Sequence, residues 1–114
     1  MVELIVLNYL SEQLEVPCYM QEPENKNPDG NTFVVIEKTG SSMTNHIFSA
    51  TFAIQSYAPT LYEAASLNEE VKSAMLAITD LNEITRTDLI SDYPFTKEST
   101  KQPRYQAVFE ITHY

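Results

Sequence analysis

From Asn45 to Tyr57 the chain alternates residue by residue, with Phe48, Ala50, Phe52 and Ile54 on one side and Ser49, Thr51, Ala53 and Gln55 on the other. A period of two is the period of a pleated strand, and apolar residues on one side only mean a sheet with one face against a core. The stretch Arg104 to Tyr114 repeats the pattern, setting Tyr105, Ala107, Phe109 and Ile111 against Gln106, Val108, Glu110 and Thr112. Two such strands constrain the fold more than any other feature, because their apolar faces need a covering layer that the strands themselves do not supply.

Two segments can supply it. Residues 2–15 place Leu4, Leu7, Leu10 and Leu14 at spacings of three and four with Glu3, Glu12, Gln13 and Glu15 largely opposite, which is the pattern of an amphipathic helix. Val16 and Pro17 end it, since the residue before a proline is pushed out of the helical region. The second helix opens with Thr60 as N-cap and Glu63 three residues on, a capping box, and runs through a stripe of Ala64, Leu67, Val71, Ala74, Met75 and Ile78 to a close at Asp80–Glu83. Further strands are expected at Cys18–Gln21, Thr32–Lys38 and Ile84–Ile90. Residues 22–31, with Pro28-Asp29-Gly30, read as a loop, and Thr39-Gly40-Ser41-Ser42 as the connection of a hairpin.

The resulting expectation is an α+β two-layer sandwich. It has a mostly antiparallel sheet of about five strands, two helices on one face, and the order α-β-β-β-α-β-β. At 114 residues there is room for one domain, 1–114, and one core. Hydrophobic residues at 43% and charged residues at 20% are an ordinary globular mixture. No apolar run reaches the roughly 20 residues of a membrane span, and Glu3 stands where a signal peptide carries a base, so the expectation is a soluble, unexported chain without a membrane partner.

Net charge is −9, in two blocks: residues 1–30 carry −5 and 58–83 carry −4, while 31–57 and 84–114 balance. This is the wrong sign for gripping phosphates, so sequence-specific nucleic-acid binding is not expected. Both blocks fall largely on the two helices, where acids are solvated faces or a surface that repels DNA.

Catalytic and ligand signatures are missing from the pattern. Nucleophilic chemistry needs a base beside the nucleophile, and Cys18 or a serine would have to recruit His46 from a strand start or His113 from the tail. Glu69-Glu70 reads as a solvated helix face, Asn25–Asn31 lacks the terminal glutamate of a calcium loop, and Gly40 stands alone where a phosphate-cradling loop needs more glycines and a following helix. Neither catalysis, cofactor nor metal is expected. Residues 91–103 form a polar excursion too long for a tight hairpin, so a projecting loop or an extended hairpin tip is expected. Tyr93 and Phe95 beside Lys97 and Lys101 suit either a contact surface or a loop tucking its aromatics onto its own sheet.

The run FVVIEKTGSSMTNHIFSATFAIQSYA from Phe33 to Ala58, the helix TLYEAASLNEEVKSAM and the closing RYQAVFEITHY together resemble small proteins of the head-tail joining and tail-completion region of siphophages and prophages of Gram-positive bacteria. Element order, size and the long penultimate loop are similar to the tail terminator and neck-completion fold of lambda-like phages. The resemblance implies a virion structural protein that forms a ring, commonly six-fold, capping the tail tube and docking to the head connector. Its partners would be further copies of itself, the tail tube protein and connector or neck proteins. It would reside at the head-tail junction of the virion, and in the host cytoplasm during assembly. In such a ring one surface patch meets a different patch on the neighbour, so the less apolar sheet face (Ser49, Thr51, Gln55), the loop residues Tyr93, Phe95, Lys97 and Lys101, and exposed strand edges are the candidate interfaces. The alternative is a small acidic phage-encoded binding or inhibitor protein, a DNA mimic or a regulator of a host protein.

Overall fold

The computed structural model describes residues 2–21, 32–44, 47–94 and 103–113. Helix α1 (Val2–Gln13) leads into strand β1 (Cys18–Tyr19), followed by β2 (Phe33–Thr44), β3 (Ile47–Tyr57), helix α2 (Leu61–Leu76), a single 3-10 turn at Ile78–Asp80, β4 (Ile84–Pro94) and β5 (Arg104–His113). The strands form one sheet in the order β1-β2-β3-β5-β4, in which only the β1–β2 pair is parallel. This is the expected α+β sandwich with the expected element order.

Both helices lie on the same face. Val34 and Ile36 of β2, Ala50, Phe52 and Ile54 of β3, and Ala107, Phe109 and Ile111 of β5 share one core with Val6 and Leu10 of α1 and Leu67, Val71 and Met75 of α2. The side-chain alternation read from β3 and β5 is therefore the division between core and open face. Phe48 belongs to the core side by parity but is 41% exposed, because it lies past the end of the helical cover and stacks on His113 at 5.6 Å. His113 is thus the last residue of a strand and not a tail residue.

The buried face of α1 differs from the leucine stripe. Val2, Val6, Leu10 and Leu14 are buried, Leu7 is half-buried, and Leu4 is 46% exposed. At about 100° per residue, the buried set spans an arc of about 120°, and Leu4 stands roughly 140° from its centre. Two overlapping apolar arcs share Leu10 and Leu14, and the i, i+4 row carrying the valines is the one set against β2. In α2 the start holds: Thr60 Oγ1 accepts from the Glu63 N–H at 3.2 Å, and Ala64, Leu67, Val71 and Met75 are buried, although Ala74 is only half-buried. The helix ends earlier than expected, at Leu76, and the buried Ile78 lies in the 3-10 turn that follows.

Two boundaries move outward. Thr39–Ser42 is strand and not connection: β2 continues to Thr44, crossing a bulge between Lys38 and Gly40, with Ser41 opposite Ala50 and Ser42 opposite Ser49. The serine and threonine hydroxyls suit an exposed strand as well as a turn, and one glycine at a bulge does not break pairing. At the other side β4 runs to Pro94, so of the two expectations for 91–103 the extended hairpin holds as far as the described residues go, and Tyr93 lies in a strand opposite Gln106. Proline closes this strand without cost because β4 is at the sheet edge, where a missing N–H need not break a ladder.

Candidate interaction surface

The face of the sheet turned away from the helices gathers four of the seven candidate residues. Ser49, Thr51 and Gln55 point there from β3, and Tyr93, opposite Gln106, points there from β4. Phe95, Lys97 and Lys101 lie outside the described residues, as do His46 and the Asn25–Asn31 stretch.

At one end this open face is aromatic. Phe33 stacks on Tyr57 with centroids 4.5 Å apart and planes 13° from parallel, and Tyr19 meets Phe33 edge-on at 6.0 Å. Phe33, Val35 and Tyr57 are buried although they lie on the face opposite the helices. The Arg104 guanidinium lies 5.5 Å from the Tyr57 ring centroid and donates from Nη1 to the Tyr57 hydroxyl at 2.6 Å.

From there a hydrogen-bond relay crosses the face. Tyr57 donates its hydroxyl proton to Gln55 Oε1 at 3.2 Å, Gln55 Nε2 donates to Gln106 Oε1 at 3.0 Å, and Gln106 Nε2 donates to the Tyr93 hydroxyl at 2.6 Å. Each amide uses its oxygen and its nitrogen, so the chain of donors fixes both carboxamide orientations. Sequence reading singled out Gln55 and Tyr93 but missed Tyr57, Arg104 and Gln106. The signal lay in the second alternating strand, whose polar side carries Gln106. Beside the relay, Met20, Gln21, Val35, Glu37, Gln55, Tyr57 and Arg104 line a shallow depression of about 430 Å³. Phenols, carboxamides and small hydroxyls match donors and acceptors on a partner, and a surface of this chemistry is suited to recognition.

Charge separates by layer. The helices and their flanks, 2–21 and 58–83, carry eight acids and one lysine, whereas the sheet segments 32–44, 47–57, 84–94 and 103–113 carry four acids and three bases. Some sheet charges are also paired: Arg86 Nε donates to Asp88 Oδ2 at 2.8 Å, and Lys38 reaches across to Glu3 of α1 at 3.2 Å. The open face is therefore almost neutral, while the helical face is acidic.

Other concavities carry less organised chemistry. A groove of about 570 Å³ between the helices is bordered by Glu15, Glu69 and Glu70, and a second of about 460 Å³ lies where Val2, Lys38, Met43, Phe48 and His113 meet beyond the start of α1. Among the described residues no group of three or more His, Cys, Asp or Glu is placed to hold a metal ion, and no helix is long and apolar enough to cross a membrane. Cys18 is half-buried, which pushes its thiol pKa up and makes the thiolate scarcer. No protein-family model matches the chain, and no curated protein matches it.

Proposed function

We propose that the protein is a structural component of a phage or prophage virion, acting at the head-tail junction as a ring that completes the tail and docks to the head connector. The observation that carries this reading is the division of the molecule into an acidic helical layer and a nearly neutral, polar sheet face that the helices leave open. A surface with few unpaired charges can be buried against a docking partner at low desolvation cost. An acidic layer facing a channel would repel the phosphates of passing DNA. The resemblance of the 33–58 run, of the second helix and of the closing strand to tail-completion proteins supplies the biological setting. Its partners are other copies of the chain, the tail tube protein and the connector, and its role involves no catalysis, no cofactor and no sequence-specific DNA contact.

The test is the mass of the purified protein by light scattering over a concentration series, with electron microscopy of any large species. A ring of about six subunits is expected, with the helical layer toward the channel. A neutral or basic channel would overturn the DNA-repelling role. Deletion of residues 95–102, which include Phe95, Lys97 and Lys101, is expected to leave a folded protein that fails to join heads to tails, and unchanged infectivity would count against the docking role. The acidic helical layer also favours a second reading, a DNA mimic or host-protein inhibitor, for which a tight dimer and competition with DNA for a host protein would speak.

A further inference from the structure

We infer that copies of this chain join edge to edge, the bulge-bounded stretch Arg86–Leu89 of β4 pairing antiparallel with Ser41–Thr44 of β2 in the next copy. The inference builds on the self-assembly part of the reading above and names its contact.

Among the described residues, nothing pairs with the outer side of either edge. β4 is the outermost strand on one side, and exposed or half-buried from Thr85 to Pro94. On the other side β1 is two residues long and pairs with Val34 and Val35, so among the described residues β2 is an edge strand from Glu37 onward, with every residue to Thr44 exposed. Unpaired backbone donors and acceptors along such stretches are templates for another strand.

Direction fits head-to-tail joining. β2 is antiparallel to β3, β3 to β5, and β5 to β4, so β4 runs opposite to β2. A copy placed alongside in the same orientation therefore meets β4 with an antiparallel β2. One contact then covers both edges, whereas two-fold pairing of β4 with itself leaves β2 bare.

Length and parity select the register. Bulges at Ile84/Arg86 and Leu89/Ser91 bound a regular stretch of β4, and the bulge at Lys38/Gly40 leaves the distal part of β2 regular. These irregularities blunt open-ended aggregation and confine pairing to a short, defined segment. By their partners within the sheet, Thr87 and Leu89 point to the helix side, as do Ser41 and Met43, while Arg86 and Asp88 share the open side with Ser42 and Thr44. A four-rung ladder that keeps these faces sets Arg86 against Thr44, Thr87 against Met43, Asp88 against Ser42 and Leu89 against Ser41 of the next copy. Leu89 and Met43, 38% and 58% exposed in the single chain, become diagonal neighbours within contact reach. The β2 stretch is uncharged and Arg86 already neutralises Asp88, so no charge loses its partner.

The experiment uses the full chain in a Cys18→Ser background with Asp88→Cys and Ser42→Cys together, oxidised mildly and run without reductant, beside each single variant. The double variant is expected to give a ladder of covalent multimers, since a disulfide needs Cα atoms roughly 4.4–6.8 Å apart, and each single variant to form no covalent multimer. In the unsubstituted chain, amides of 41–44 and 86–89 are expected to gain tenfold or greater protection from hydrogen exchange as concentration rises. A covalent dimer from Asp88→Cys alone would replace this contact with a two-fold one. Rings seen by microscopy without cross-linking or protection would overturn the edge contact and leave the head-tail reading standing. A chain that stays monomeric at every concentration would also overturn it, and rings appearing only on added tail tubes would then preserve the function without this contact.

Discussion

Lys72 Nζ stands 2.9 Å from Asp92 Oδ2 and so ties helix α2 to edge strand β4. The same carboxylate oxygen accepts from Asn68 Nδ2 at 3.2 Å, and Lys72 also reaches Glu69 at 2.7 Å within its own helix. The hydrogen bonds to Glu69 and Asp92 raise the lysine's pKa, so the ammonium form is favoured. Asn68 is a buried polar residue in the middle of the apolar stripe of α2, and Asp92 is what its amide nitrogen faces. Asp92→Ala leaves a buried donor unmet and is expected to cost about 1–2 kcal/mol in urea unfolding. Glu69→Ala, which removes an exposed i, i+3 pair, should cost less than about 0.5 kcal/mol. Equal losses would mean that the carboxylate holds no more than a surface ion pair.

The corrected face of α1 makes a sharper comparison. Leu10 is fully buried and Leu4 is nearly half exposed, yet both are leucines of one helix. Leu10→Ala is expected to lose about 2–5 kcal/mol, through both transfer and cavity costs, and Leu4→Ala to stay within about 0.5 kcal/mol of the parent. Chemical denaturation of the two variants checks the helix rotation directly, and a costly Leu4→Ala would restore the leucine stripe.

At the start of α2, Thr60→Ala removes the acceptor of the Glu63 N–H. The expected loss is about 1 kcal/mol, and Thr60→Gly should lose only a few tenths. Because a cap acts on a helix end, circular dichroism at 222 nm should change little at low temperature while the melting midpoint falls by several degrees.

Acid stability should depend on Glu3. Its carboxyl pKa is lowered from the ordinary 4.5 by a hydrogen bond from its own backbone N–H and, secondly, by Lys38. A lowered value means the contribution is present in full above the unfolded value, and is lost as pH falls through the folded one. The effect should therefore show below about pH 4.5, where Glu3→Gln flattens the acid limb of the stability curve, and vanish as a pH-dependent difference at neutrality. A Glu3→Gln variant whose acid limb matches the parent's would show that neither the backbone hydrogen bond nor the Lys38 contact lowers this carboxyl in solution.

Much of this fold is legible in two alternating strands, because a period of two assigns faces without reference to partners. Phe52 and Gln55 could be placed on opposite sides of the sheet from sequence alone, and they are. Strand ends were less readable. Ser41 and Ser42 have turn chemistry, and only pairing with Ala50 and Ser49 shows that they remain in the ladder. Tyr93 sat between a proline and acids that suggest a loop, but an edge strand accepts both. The relay was half visible: Gln55 stood out as polar on a strand, whereas its link to Gln106 depends on the β3–β5 register, which lies 51 residues apart in sequence. The leucine stripe misled because hydrophobicity does not distinguish two apolar arcs on one short helix. Shape against β2 does.

The unequal charge of the two layers also makes the molecule an electric dipole, acid behind and neutral sheet in front. At about 0.01 M salt the Debye length is roughly 30 Å, longer than the 24 to 25 Å of the molecule's shorter dimensions, so an approaching anionic body feels the asymmetry and turns the sheet toward itself. At about 0.1 M the length falls to roughly 10 Å, and the torque acts only near contact. Encounter orientation is thus set by ionic strength, and the rate at which this chain meets another acidic body should change with salt more steeply than the lifetime of the complex.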